Sequence, residues 1–428
     1  MIRLLQIFLT VVLTSLFFFP FELTVLPGIN SKMIMAVVGL AFCVAELVKR
    51  QSFTIPKELL SLLFFASAGS LFSLLSITLN QTPDTTYVSF IISFCVWLSA
   101  AFVVCCCIRW THGRMDVQLV LDYLIAVCLI QCILALVINN KPLMAQWINT
   151  HTYFGQDVAI KTKRLYGIGA LLDVAGLRMA AVLSGIAFYL SEVKVPLSPV
   201  RRIFYILSFF VISVIGNMIA RTTLVGTGLG AAVILLGLFL KPSLPGSGEK
   251  LPALFSWVLI LGIGIAICVP LYNTNPQAHK LLRFAFEGFF SLAEEGHWEV
   301  SSNEKLKTMV VFPETMHTWI IGDGYFMNAR YDENYLGDST DMGFYMGTDI
   351  GYLRFIFYFG ILGLIPMIGV IVYSAFVCMR HFPRERLFFL LAMMVGLIVW
   401  FKVSTDIFLY LALFLSAAAL KDKETQTT

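Results

Sequence analysis

Charge is what this sequence has least of. Asp, Glu, Lys and Arg make up 13% of the 428 residues against 58% hydrophobic ones, and the mean hydropathy is +0.84. Soluble globular domains carry roughly twice that share of charge, about 25%, so the chain belongs to the integral membrane class. The net charge of +4 is small and the basic residues are spread along the chain; without a basic patch, no nucleic-acid partner is expected. Histidine is scarce, at six, and all nine cysteines lie in or beside apolar runs. Zinc ligation and loop disulfides are left without support, and no metal or other cofactor is expected. The Cys105-Cys106-Cys107 run has two readings, acylation near a helix end or ordinary membrane packing. An internal repeat is missing too, whereas twelve-span carriers usually show two related halves around a midplane site.

Long apolar runs, by contrast, are abundant. A helix needs about 20 apolar residues to cross a hydrocarbon core of roughly 30 Å. About twelve runs approach that length: 2–20, 33–48, 59–79, 88–108, 117–138, 171–190, 203–218, 222–240, 252–269, 350–379, 387–400 and 403–420. The run 387–400 is short and makes a hairpin with its successor at Lys402. The expected fold is all-α, a polytopic integral membrane protein of about 12 transmembrane helices. Residues 1–270 carry helices one to nine with an outer loop at 139–170, 271–349 form a large polar loop, and 350–428 carry helices ten to twelve and a short tail. Arg3, Lys49/Arg50/Lys57, Arg109/Arg114, Lys194/Arg201/Arg202, Lys241/Lys250, Arg380/Arg384/Arg386 and Lys421/Lys423 fall on alternate connections. Positive charge is retained in the cytoplasm, so both termini are expected there, with 139–170 and 271–348 facing outward. The first run opens Met-Ile-Arg with no small-residue cleavage pattern, so it is expected to stay as an anchor.

Within the large loop, Leu282, Phe286, Phe289 and Phe290 recur at helical spacing while Lys280, Arg283 and Glu287 take other faces. The stretch 280–290 reads as one amphipathic helix, lying in the outer interface or packed on the protein itself. Cations gather near the outward ends of spans. Arg221 sits in the tight turn of GNMIARTTLVG, Arg178 about two turns inside the sixth run, Arg164 just before that run, and Arg354 a little over one turn inside the tenth. A buried arginine costs about 2.5 to 3.5 kcal/mol at a helix centre, so a group of them calls for an anion. A lipid diphosphate meets that need, because guanidinium grips phosphate oxygens in a bidentate fork. The other reading is snorkelling, or pairing with Asp173, Asp349 or Asp406.

The order of these segments resembles a known family. RLYGIG and AGLRMA lead into the sixth run, IARTTLVG makes a turn, the large loop contains SNEKLKTMVVFPETMHTWIIGDGYF, and DIGYLRFIFYFGILGL follows. Over residues 164–364 this resembles the O-antigen polymerase and O-antigen ligase superfamily of bacterial inner-membrane proteins. The resemblance implies a metal-independent glycosyltransferase that moves a glycan from undecaprenyl pyrophosphate to another lipid-linked repeat unit at the periplasmic face. Membrane lipids and a chain-length regulator are the further partners it implies. Arg221 matches the family's arginine in the turn before a span, Arg164 and Arg178 match arginines at the preceding outer helix end, and Gly322, Asp323 and Gly324 match a glycine-containing turn. The ligase branch usually has a histidine before the helix that follows the loop, where this chain has Gly347-Thr348-Asp349, which favours polymerase.

Glycosyl transfer needs a base at the acceptor hydroxyl, cations on the departing pyrophosphate, and exclusion of water. Candidates for the base are Asp349, Asp341, Asp323 and His317, with His297 behind them. Asp349 comes first, with a helix cap as its other reading. Trp298, Trp319, Tyr325, Tyr331, Tyr335 and Tyr345 are available to stack on sugars or to sit at the interface as aromatics commonly do. Two other classes stay open. A ligase would use the same cations with a lipid A core or protein acceptor, and a flippase would move the lipid-linked unit without making a bond.

Overall fold

With no water to satisfy them, backbone amides and carbonyls in an apolar surrounding must bond to one another, and the helix does this within one segment. Each of the twelve apolar runs is accordingly a helix. The computed structural model describes residues 2–50, 56–192, 197–240, 250–327 and 343–427. In chain order the first helices are α1 (Ile2–Phe18), α2 (Ser31–Arg50), α3 (Lys57–Asn80), α4 (Phe90–His112) and α5 (Val117–Asn140), then the short α6 (Pro142–His151) and α7 (Gln156–Thr162). Next come α8 (Leu172–Ser191), α9 (Pro199–Ile219), α10 (Thr223–Leu240) and α11 (Lys250–Thr274). Four short helices follow, α12 (Pro276–Ala285), α13 (Glu287–Glu295), α14 (Ser301–Thr308) and α15 (Met316–Ile320), before α16 (Gly351–His381), α17 (Arg386–Val399) and α18 (Phe408–Thr427). Among the described residues, strand structure amounts to one antiparallel pair, β1 (Glu22–Leu23) with β2 (Thr152–Tyr153), Glu22 opposite Tyr153. Among the described residues six helices, α3, α4, α5, α8, α9 and α16, are long and apolar enough to cross a membrane. The protein is an all-α chain of the membrane-embedded class.

The chain divides into two compact units. The first comprises Met1–Ser31, Trp110–Glu299 and Leu390–Val395, and the second Lys32–Arg109, Val300–Phe389 and Gly396–Thr428. The polar loop is thus shared out, its first part folding with one unit and the rest with the other.

In the first unit α8 is the most enclosed helix, with 83% of its apolar window buried. It packs along α10, α9 and α5. The approach to α10 is close because Gly226 leaves out a side chain: a Cβ there would lie 2.3 Å from the Cα of Ala180. An ion pair bridges two of these helices. Arg201 Nη2 donates to Asp122 Oδ2 at 3.0 Å and the Tyr205 hydroxyl donates to Oδ1 at 2.6 Å, tying α9 to α5. The single amphipathic helix expected over 280–290 is instead a hairpin of α12 and α13, broken at Phe286 (φ −120°, ψ 29°). The break has a physical return. Arg283 and Glu294, eleven residues apart, form a bidentate ion pair that one straight helix forbids, and Phe290 stacks on Tyr272 of α11 at 5.3 Å.

In the second unit α16 is not one straight rod. It bends at Phe359 (φ −136°, ψ 15°) and Gly360 (φ 65°, ψ −171°), the latter a conformation open essentially only to glycine. Carbonyls at the bend receive donors from outside the helix: Phe357 O from Asp323 N at 2.6 Å, and Tyr358 O from Gly324 N at 3.2 Å and Ser76 Oγ at 2.7 Å. On α3 and just after it, Asn80 Nδ2 and Thr82 Oγ1 each donate at 2.9 Å to Gly322 O and Gly324 O. A Cβ on Gly360 would come within 2.1 Å of Ile320 O. Gly360→Ala is therefore expected to cost about 3 kcal/mol or more, read as a lowered unfolding temperature of the detergent-solubilised protein. An unchanged melt would show that the bend is not enforced here.

Candidate functional site

The first cluster grows from the turn between α9 and α10. Ala220 ends α9 and Thr223 begins α10, which leaves Arg221 and Thr222 in a two-residue corner. Thr222 Oγ1 donates to Asp173 in the first turn of α8, and Arg221 Nη1 donates to Glu287 at the start of α13. Only 13% of the Arg221 side chain is exposed. Its guanidinium lies 4.4 Å from the centre of the Phe284 ring, and that of Arg164 lies 5.2 Å from the same ring. One aromatic ring thus holds two cations, a contact worth about 0.5 to 2 kcal/mol each. Burial pushes the Arg164 guanidinium down from its ordinary value, the Asp173 charge opposes this, and the Arg221 charge adds to it.

Beside this pair a cavity of about 390 Å³ opens among the end of α5, α7 and α12. Its lining contains Lys163, Arg164 and Lys280, the polar Asn139, Tyr166 and Gln277, and no carboxylate. Lys163 occupies the left-handed region (φ 55°) as it ends α7. A concave surface with three cations and no counter-charge in its wall takes an anion.

Arg178 stands on another face. Its guanidinium lies 6.0 and 5.8 Å from the rings of Phe18 and Phe19 on and just after α1. The reason is helical geometry. Five residues separate it from Asp173, a rotation of about 140° from the side that meets Thr222.

The second unit carries the remaining candidates. Arg354, 6% exposed, is enclosed by partners: Nη1 donates to Asp349 Oδ1 at 3.3 Å and to Ser404 Oγ at 3.0 Å, and Nη2 to Phe326 O at 3.2 Å. The rings of Phe326 and Phe344 cover it at 3.7 and 4.4 Å. Met327 and Phe344 form a β-bridge, so Arg354 fastens the two ends of the segment between them. Asp349 does not cap α16, whose N-cap is Ile350 without a side-chain bond. It pairs with Arg354 instead.

Asp323 lies in the turn that docks on the bend of α16. Its Oδ1 accepts from Thr318 Oγ1 at 2.7 Å and its Oδ2 from the Tyr345 hydroxyl at 3.2 Å. Burial is the largest influence and pushes its carboxyl above the ordinary range, while those two hydrogen bonds and the charge of His317 pull it down. His317 is exposed on α15. His297 is exposed as well, its imidazole held between Glu299 Oε2 at 3.1 Å and Glu295. Among the described residues this is the one trio whose ligand atoms lie within 4.8 Å of one another; all three side chains are exposed, and both carboxylates pair with the imidazole.

The aromatics divide sharply. Tyr325 and Tyr345 are buried and stack on each other at 5.2 Å, so neither offers a face to a sugar. Trp319 donates its indole N–H to Pro313 O at 3.0 Å, and Trp298 packs edge-on to Phe289 at 5.0 Å. Asp341, Tyr331 and Tyr335 lie outside the described residues.

No protein-family model, curated protein or solved structure matches this chain.

Several partners escaped sequence reasoning. Lys280 reads only as part of the polar side of the 280–290 helix and Lys163 draws no reading, and only the fold turns them to one cavity. Asp84 accepts from Phe326 N at 2.8 Å and Met327 N at 3.2 Å, 242 and 243 residues downstream. Its local signal was an Asx turn, since its Oδ1 also accepts from Thr86 N at 3.1 Å.

Two expectations follow from the second unit. Arg354→Lys replaces a planar fork with a point donor and should destabilise by about 2 kcal/mol, read as a shift in thermal unfolding; equal stability would remove the bracket role. The Asp323 contribution to stability has a definite sign. Between the ordinary carboxyl value of about 3.9 and its raised folded value, the folded state holds a proton that the unfolded state has lost. Stability then falls as pH rises through that window. Asp323→Asn should flatten this limb of the melting-temperature profile, and an identical slope would refute it.

Proposed function

We propose that this protein is a glycosyltransferase of the bacterial inner membrane that polymerises oligosaccharide repeat units carried on undecaprenyl pyrophosphate at the periplasmic face. In this reading all twelve apolar helices are membrane elements, both termini are cytoplasmic, and the polar segment after α11 faces outward. The observation that carries it is the cation-lined cavity of the first unit, joined to the Arg164–Phe284–Arg221 stack. A lipid-borne diphosphate brings two adjacent anionic groups to the end of a membrane helix, and Arg164, Lys163 and Lys280 are the side chains that would receive them.

The chemistry needs no metal. The acceptor hydroxyl attacks the anomeric carbon, the bond from that carbon to the pyrophosphate oxygen breaks, and the pyrophosphate leaves with the electron pair. Guanidinium and ammonium groups stabilise the charge that develops on it. Arg221, held by Glu287 and stacked beside Arg164, keeps the cationic ring in place. The hydroxyl proton needs an acceptor whose proton affinity is raised toward working pH. Of the two carboxylates of the second unit, Asp323 has its proton affinity raised by burial, while Asp349 is engaged by Arg354.

The test is gel analysis of surface and lipid-linked glycan in a deletion strain complemented with variants. Arg164→Ala and Arg221→Ala should each reduce polymer by about 10²-fold, collapsing a ladder to a single repeat unit while the protein still inserts. Long polymer stranded on the carrier lipid would make the protein a ligase. An unchanged profile would defeat both and point to transport.

A further inference from the structure

Two connections of the first unit, the one that follows α1 and the one that follows α5, are bonded into a single body. β1 pairs with β2, and Thr24 gives its amide to His151 O at 3.0 Å and its hydroxyl to Thr150 O at 2.9 Å. This body carries large apolar side chains on its outside. Leu143 is 84% exposed, Val25 78% and Trp147 61%, and Leu26, Ile29 and Tyr153 are exposed as well.

The pattern on α6 is two-sided. Leu143, Trp147 and His151 recur every fourth residue along one stripe, and the rings of Trp147 and His151 stack at 4.8 Å. Ala145 and Ile148 take the other side and pack with Ile138 of α5, Ala159 of α7 and Tyr166. One apolar face thus holds α6 to the protein, and a second is turned outward, where a helix bordered by water would carry polar side chains.

Chain geometry says what lies against that second face. The 24 residues of α5 extend about 36 Å, against a hydrocarbon core of about 30 Å and a headgroup layer about 5 to 7 Å thick on each side. Only Lys141 stands between the end of α5 at Asn140 and the start of α6 at Pro142, and two residues of chain reach about 7 Å at most. With α5 across the bilayer, α6 begins within the headgroup layer. Charge and residue type agree with that depth. From 141 to 163, Lys141, Lys161 and Lys163 stand against a single carboxylate, Asp157, a balance suited to lipid phosphates, and tryptophan and tyrosine are the residues that collect at this level.

We propose that α6 and the β1–β2 connection form a platform seated in the boundary between lipid headgroups and acyl chains, with Leu143, Trp147 and Val25 inserted and the lysines at phosphate depth. What covers the apolar face is the bilayer that α5 crosses. The platform also fixes the level of the cation-lined cavity, whose wall takes Ile138 and Asn139 from the last turn of α5 and Ile160 and Lys163 from α7 and its end. Use of that level to receive a lipid-borne diphosphate rests on the polymerase reading above, while the seating itself does not.

The experiment is tryptophan fluorescence of the full chain at one copy per nanodisc. The phosphatidylcholine carries bromine either near the headgroup end or near the methyl end of its acyl chains, and iodide serves as the aqueous quencher. Subtracting the emission of Trp147→Phe isolates Trp147 from the other tryptophans. The expected result is quenching about twofold stronger by the shallow bromine than by the deep one, with little quenching by iodide. Adding Leu143→Trp to Trp147→Phe moves the probe one turn along the same stripe and should restore the shallow quenching, which covers the case in which loss of the indole disturbs its surroundings. Emission quenched by iodide and not by bromine would put α6 in water, emission reached by neither would mean that protein covers the face, and stronger quenching by the deep bromine would place it in the core; each overturns the platform. The glycan gel of Arg164→Ala separates the two ideas. A collapsed ladder beside iodide-quenched Trp147 removes the platform and keeps the polymerase, and bromine-quenched Trp147 beside an unchanged ladder does the reverse.

Discussion

A carbonyl that leaves a helix in an apolar surrounding must find a donor, and in the second unit one short turn supplies them. Gly322 to Gly324 lies against the bend of α16 and gives two amides to Phe357 O and Tyr358 O. The same turn receives Asn80 and Thr82 from the end of α3. Asp323 is therefore positioned by backbone bonds on both sides of it before its side chain makes any contact. The bend also sets the two arms of α16 at an angle to each other.

The four arginines show how the same side chain takes different parts. Arg164 and Arg221 share one ring, and Arg164 also lines a cavity. Arg178 stands on the Phe18 and Phe19 rings, and Arg354 is closed in by a carboxylate, a hydroxyl, a carbonyl and two rings. An enclosed guanidinium whose two terminal nitrogens are engaged, as in Arg354, holds a structure together, whereas one in the wall of an open cavity is available to an anion.

The helices were legible from the sequence because apolar runs of membrane length have one economical backbone arrangement. Even the short run at 387–400 came out as the 14-residue α17. The turn carrying Arg221 was also readable, since nothing but a corner fits between two such runs. Long-range contacts were not. No local pattern announces that Asp84 caps amides some 240 residues away, or that Lys163 and Lys280 meet across one cavity. Periodicity misled at 280–290, where a helical stripe of apolar residues hid a hairpin that exchanges ideal helical geometry for the Arg283–Glu294 pair. The tyrosines were misjudged for a related reason. Composition places them near an interface, but only the fold decides that Tyr325 and Tyr345 spend their faces on each other.

The partnership of α3 with α16 has a consequence for biosynthesis. Ser76 reaches Tyr358 across 282 residues of chain, and synthesis proceeds from the N-terminus at about 5–20 residues per second. For about 15 to 60 seconds α3 exists without the turn at Gly322 to Gly324 and the helix α16 that bond to it. During that interval Ser76 lacks its long-range acceptor, while Asn80 keeps the local bond to Ser76 O and Asp84 keeps its Asx turn with Thr86. The second unit is built from segments at both ends of the chain, so its packing is completed only after the later ones have been made.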